Sequence, residues 1–372
     1  MSLTALPVEL LDAICEPLEC NLSALASFAL TCAAAYPSAT RVLYRNVSVS
    51  AFAGNLPVVR TLATRPDLAR LVHAFSITLS DADAVLRAFY VQLQTALRRM
   101  SQLVSLELLV DLNASWVLSG LANPHRIGHF VCSFPLDTHV AAFLARTPAL
   151  RSLQISDPAP SSNQVLSEDH VPQLQSYTGP ASLLPLLASR PLSTIHLSGD
   201  LRIEDIPQSA GAPIFFEPGS ESNSHSYPAP KNSGSGEGAK GYEQVQILSA
   251  ITSAPPASVL EALAVAYPSL SCLKLMTTSA FWESPDMTLY TRIAATLASL
   301  SSLTVFELSG VHWEARTKSP SSCSPKTGEE EKEWVSPPVT PRATEFHTEI
   351  EALLENQSQD LGFGEAFFDW SY

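Results

Sequence analysis

Charge is scarce in this sequence: Asp, Glu, Lys and Arg together make up 16% of it, against 46% apolar residues. A chain so poor in charge and rich in apolar surface is expected to fold over most of its length. Basic residues are the scarcer sign, 22 Lys and Arg against 36 Asp and Glu, for a formal net charge of -14. That imbalance repels phosphate backbones and anionic lipid, so neither nucleic acid nor a membrane surface is expected as a partner. Disulfide spacing is missing too. Cys15, Cys20, Cys32, Cys132, Cys272 and Cys323 are scattered without a framework, as expected of reduced thiols in the cytosol or nucleus. The first thirty residues lack the basic start and apolar run of a secretory signal, since Glu9, Asp12, Glu16 and Glu19 interrupt them, and no later stretch reads as a membrane span.

Catalytic signatures are also lacking. The chain contains no Gly-x-Gly-x-x-Gly, phosphate loop, His-Glu-x-x-His or Gly-x-Ser-x-Gly, so a non-catalytic protein without a cofactor is expected. The nearest approach to a metal site is His125, His129 and Cys132, with His139 nearby. No paired Cys-x-x-Cys completes it, and these histidines read as loop residues after Pro124, so no metal is expected. Cys15 and Cys20 read as small core residues.

What is present begins with Leu6, Leu10, Leu11, Ile14 and Leu18 on one helical stripe, with Pro7 suited to the first turn and Pro17 ending it. Asn21 offers an N-cap for a second helix carrying Leu22, Leu25, Phe28, Ala29 and Cys32. The opening Leu6-Pro7-x-Glu9-Leu10-Leu11, the Ile14 and Leu18 spacing, the Leu30-Thr31-Cys32 segment and the closing Leu43-Tyr44-Arg45-x-Val47 resemble an F-box. That resemblance implies a three-helix module over residues 1–49 that exposes an apolar surface to the Skp linker subunit of Skp/cullin/F-box ubiquitin ligases. Carried over residue by residue, the docking positions are Leu6, Pro7, Leu10, Leu11, Ile14, Leu22 and Leu30. The alternative reading is the first helical hairpin of a larger body, with its leucines buried in the same chain.

Downstream, an apolar, x, x, apolar, x, apolar unit recurs at Val72/Phe75/Ile77, Leu103/Leu106/Leu108, Leu150/Leu153/Ile155, Leu192/Ile195/Leu197, Leu270/Leu273/Leu275 and Leu303/Phe306/Leu308. Leu174 to Pro180 supplies a seventh, incomplete unit. Within each unit the last two apolar positions share one strand face and the residue between them faces the other way. Helical stripes lie between, at Asp81 to Met100, at Val259, Leu263 and Ala266, and at Leu289, Ile293, Leu297 and Leu300. The alternation reads as an α/β array, with parallel strands lining a concave face and helices the convex one. It resembles degenerate leucine-rich repeats across residues 50–206 and 243–313; an ordinary α/β domain is the plainer alternative. Glu107, Gln154, Thr194, His196, Lys274 and Glu307 are then the outward strand positions expected to contact a target protein.

Residues 207–242 turn to Ser, Gly, Pro, Asn and Glu and read as a disordered insertion; residues 314–344 read as a disordered acidic linker with Ser-Pro and Thr-Pro pairs. Residues 345–372 read as a helix and aromatic tail that caps the array. Together the two resemblances imply a cytoplasmic or nuclear adaptor that joins a Skp-family linker, and through it a cullin, to an unidentified target protein. The rival is a repeat scaffold with no ligase link.

Overall fold

The computed structural model describes residues 6–80, 86–156, 166–167, 169–207, 244–278, 287–317 and 332–335. Most of the 207–242 insertion and of the 314–344 linker, and all of the 345–372 tail, lie outside them. No helix of the described residues is long and apolar enough to cross a membrane.

Three short helices come first: α1 (Val8–Cys15), α2 (Leu22–Ala29) and α3 (Ala35–Leu43). Pro7 occupies the N-cap position of α1, and a 3-10 turn through Pro17 follows it. Asn21 caps α2, its side-chain oxygen accepting from the Ala24 N–H at 3.0 Å. The three helices enclose a small core of their own, Cys15, Leu25 and Ala39, with Leu18, Phe28, Val42 and Leu43 against it. Between the helices, Arg41 holds Asp12 at 2.5 Å.

From Asn46 onward the chain builds one sheet: β1 (Asn46–Ser50), β2 (Ala74–Thr78), β3 (Ser105–Leu109), β4 (His129–Cys132), β5 (Ser152–Ile155), β6 (Ser176–Pro180), β7 (Thr194–Asp200), β8 (Ile247–Thr252), β9 (Cys272–Thr277), β10 (Val305–Leu308), β11 (Val311–Thr317) and β12 (Lys332–Val335). Strand order follows chain order throughout. Every pairing from β1 to β10 is parallel, and β10–β11–β12 are antiparallel. The connections carry α4 (Pro57–Thr64), α5 (Pro66–Ala69), α6 (Arg87–Arg99), α7 (Thr138–Leu144), α8 (Pro256–Ala266), α9 (Met287–Ser299) and several 3-10 turns. Their buried side chains join those of one sheet face in a single continuous core. The protein is thus mixed α/β, with a sheet that grows one strand at a time.

All six complete sequence units become strands, and every one of their apolar residues is buried. The same template also fits three strands that sequence reading passed over: Tyr44/Val47/Val49 at β1, Ile127/Phe130/Cys132 at β4 and Val245/Leu248/Ala250 at β8. His129 therefore stands in a strand and not in a loop. The strands are in register, so Val47, Phe75, Leu106, Phe130, Leu153, Tyr177, Ile195, Leu248, Leu273 and Phe306 form one row across the core face.

One backbone contact repeats with the strands. The carbonyl of the residue after the first apolar position accepts two successive N–H groups from the next unit. Arg45 O takes His73 N and Ala74 N at 2.8 and 3.0 Å, and His73 O takes Val104 N and Ser105 N at 2.8 and 3.1 Å. The pattern continues through Val104, Gly128, Arg151, Gln175, Ser193, Gln246 and Ser271 to Thr304 and Val305.

Three sequence expectations need correction. The helical module ends at Leu43, because Asn46–Ser50 pairs with β2 and belongs to the sheet. Residues 314–317 and 332–335, assigned to a disordered linker, are strand, and Trp334 is buried there. An aromatic in a polar stretch was the missed signal: Trp313 packs on Phe306 and Tyr290, and Ser309 and Gly310, both at positive φ, make the two-residue turn that reverses the chain. Of the helical stripe read over Asp81 to Met100, residues 81–85 lie outside the described ones, and Leu86, read as part of the stripe, sits at the N-cap position of α6 and is exposed.

The incomplete seventh unit has a steric cause. Tyr177 fills the fourth position, is fully buried, and sends its hydroxyl to Pro180 O at 2.9 Å, over the sixth position. A Cβ on Gly179 would lie 2.6 Å from that hydroxyl and 2.9 Å from Ile155 O. One tyrosine thus occupies the space of two apolar residues. Gly179→Ala is expected to cost about 1–3 kcal/mol from overpacking. Gly179→Ala should cost less in a Tyr177→Leu background, where the Ile155 O contact alone remains, than in the unmutated chain, as read by urea unfolding, and additive losses would contradict this packing.

Candidate functional site

The first candidate surface lies on α1 and α2. Residues four apart on a helix share a face. Leu11 and Cys15 point into the protein, while Leu10 and Ile14 point out. Exposure is 51% at Leu10, 38% at Ile14, 57% at Leu22 and 85% at Leu30, but 2% at Leu11. Pro7 and Val8 are also exposed, and Leu6 is half-buried. Leu11 is therefore corrected from a docking position to a packing one. Cys20 is corrected the other way: read as core, it is exposed, whereas Cys15 is buried. Four large aliphatic side chains left in water on so small a unit are a costly arrangement unless something covers them.

The second surface is the sheet face opposite the helices. Strand alternation sends the residue between the fourth and sixth positions of each unit outward, and register aligns them as Ser48, Ser76, Glu107, Val131, Gln154, Thr178, His196, Ser249, Lys274 and Glu307. Thr194 lies in the neighbouring row with Asn46, Ser105, His129, Ser152, Ser176 and Cys272. All six outward residues singled out in the sequence stand on this face, each half-buried.

Its far end is internally neutralised. Lys274 Nζ lies 3.4 Å from Glu307 Oε2, and His312 Nδ1 lies 3.9 Å from the same oxygen. Burial pushes the neighbouring Cys272 thiol up to about 11, which keeps it protonated and unreactive. His196 Nδ1 is 2.6 Å from Ser249 Oγ, a base beside a hydroxyl. Ser249, however, sits in an interior strand whose backbone N–H groups are committed to the ladder, so the strand supplies no oxyanion donors. His129 and Cys132 are three apart on β4 and face opposite sides of the sheet, so they cannot share a metal. Among the described residues no cluster of His, Cys, Asp and Glu could hold a metal ion. Compared with protein-family models and with curated proteins, the sequence matches none.

Burial holds the His129 and His196 imidazoles below the usual histidine range, reinforced at His196 by Lys274 and opposed at His129 by Glu107. The unfolded chain therefore takes up these protons first. Their contribution to stability is complete above the unperturbed imidazole value of about 6.5 and is lost as pH falls through it toward the lower folded values. Urea unfolding should show a less stable protein at pH 5.5 than at pH 7.5, and His129→Gln with His196→Gln should reduce that difference. An undiminished pH dependence in the double variant would place its origin elsewhere.

Proposed function

We propose that this chain is the substrate-recognition adaptor of a Skp/cullin/F-box ubiquitin ligase. In this reading α1 to α3 are an F-box that docks a Skp-family linker subunit and, through it, a cullin, while the sheet is a leucine-rich-repeat solenoid whose outward face holds a target protein. One observation carries it: Leu10, Ile14, Leu22 and Leu30 are exposed on a helical unit that already has its own core. The resemblance to the F-box pattern supplies the identity of the partner, and the outward polar face supplies a surface for the target.

The work of such an adaptor is positional. Holding a target beside a ubiquitin-charged enzyme raises the effective concentration of its lysines and needs no reacting group from the adaptor. Helix α3 runs into β1 with only Tyr44 and Arg45 between, and Tyr44 packs against the sheet core. Glu19 further accepts a hydrogen bond from the Asn46 amide at 2.8 Å. The docking helices and the recognition face thus have a short, bonded joint.

The full chain, expressed with a Skp-family linker, should co-purify with it. Leu10→Glu with Ile14→Glu should weaken capture by about two orders of magnitude, the scale set by burying uncompensated charge, and leave the melting curve unchanged. Leu11→Glu should instead melt the helical unit, because that side chain is buried. If the unmutated chain does not capture the linker, the adaptor reading fails and the repeat scaffold takes its place; if capture survives the double variant, the docking surface is misassigned.

A further inference from the structure

The outward face is uneven in how its charges are satisfied. At β9 and β10, Lys274 and Glu307 neutralise one another. At β1 to β3 there is a shallow, open depression of about 240 Å³ lined by Asn46, Ser48, Ser76, Ser105 and Glu107, with Val47, Ala74 and Phe75 at its floor. Glu107 has no ion pair or hydrogen-bond partner among the described residues, nor do the hydroxyls of Ser48, Ser76 and Ser105. Asn46 also lines the depression, and with its amide nitrogen donating to Glu19 its side-chain oxygen is the remaining polar atom, an acceptor. His129, on the next strand, has its imidazole shifted below the usual histidine range by desolvation, which disfavours the charged form that would compete for the carboxylate. A half-buried anion ringed by acceptors, on a chain of net charge -14, is complementary to a cation with several N–H donors.

We propose that this depression receives a lysine or arginine side chain from an extended, basic segment of the target protein, with Glu107 as its counter-charge. The proposal rests on reading the sheet face as a target-binding surface and adds the chemistry of what it reads. The serine hydroxyls and the Asn46 carbonyl take the remaining donors, and a planar guanidinium uses more of them than an ammonium does. The hydroxyl-rich strands β5 to β7 then carry the flanking segment through neutral hydrogen bonds, while the Lys274–Glu307 pair leaves the far end without net attraction.

The test uses the full chain and an acetylated, amidated tetra-arginine peptide as probe, with tetraglutamine as the neutral reference, read by calorimetry. The arginine peptide should bind more tightly than tetraglutamine and lose affinity as salt rises. Glu107→Gln should weaken it at least about tenfold, the worth of one charge-assisted contact. Glu261→Gln removes the same unit of charge from the helical side, where Glu261 pairs with Arg292 at 2.9 Å, and should leave binding unchanged. Equal losses in the two variants, or unaltered binding in Glu107→Gln, would overturn the proposal, since the attraction would then be the general field of an acidic protein. Linker capture by Glu107→Gln, measured alongside, separates the two readings: it should persist, and its loss in the unmutated chain would count against the adaptor and not against the cation site.

Discussion

A single carbonyl accepting two successive N–H groups from the next unit is the contact on which the rest of this architecture depends. It occurs at the entry to each parallel strand after β1, from Arg45 receiving His73 and Ala74 to Ser271 receiving Thr304 and Val305. Because both partners are main chain, side chains at these positions are free to vary: Arg, His, Val, Gly, Gln and Ser all serve as the acceptor residue. What is not free is the donor, and although the chain holds 28 prolines, none stands at either donating position. This fixes register, and register places every fourth-position side chain on the core face and every fifth-position one on the opposite face.

That division explains what could be read from sequence. Three apolar positions per unit carry the burial, and where all three are large and buried the strand was legible. Where one is altered, the strand was passed over, as at β4 and β8, or read as incomplete, as at β6. Cys132 closes the β4 unit with a small residue beside Phe130, and Ala250 does the same at β8; their neighbours make up the volume, which no single-position pattern reports. At β6 the exchange is complete, Tyr177 doing the work of two residues over Gly179. The three-helix unit was legible as amphipathic segments, yet which leucines face inward was not, since one wide stripe divides into an inner pair, Leu11 and Cys15, and an outer pair, Leu10 and Ile14, only once α2 and α3 set the roll of α1. The outward face was legible residue by residue, but its self-neutralised end and its open end depend on contacts across neighbouring strands.

The two surfaces differ in kind. The helical one is apolar, and covering apolar surface is favoured by water release, on which charge screening has little hold. The sheet face is polar, lined by hydroxyls and a few ionisable groups, so its preferences come from pairing and geometry.

The strand-to-strand rule contains no stop, since a main-chain contact that ignores side chains would accept a further strand from any source. At the opening edge this is met by Asn55, whose amide oxygen accepts from Ser50 N and whose amide nitrogen donates to Ser48 O, both at 2.9 Å. A single side chain thereby imitates the neighbour that β1 would otherwise recruit. One residue just past the first strand therefore occupies two of the main-chain groups on which a further strand would build.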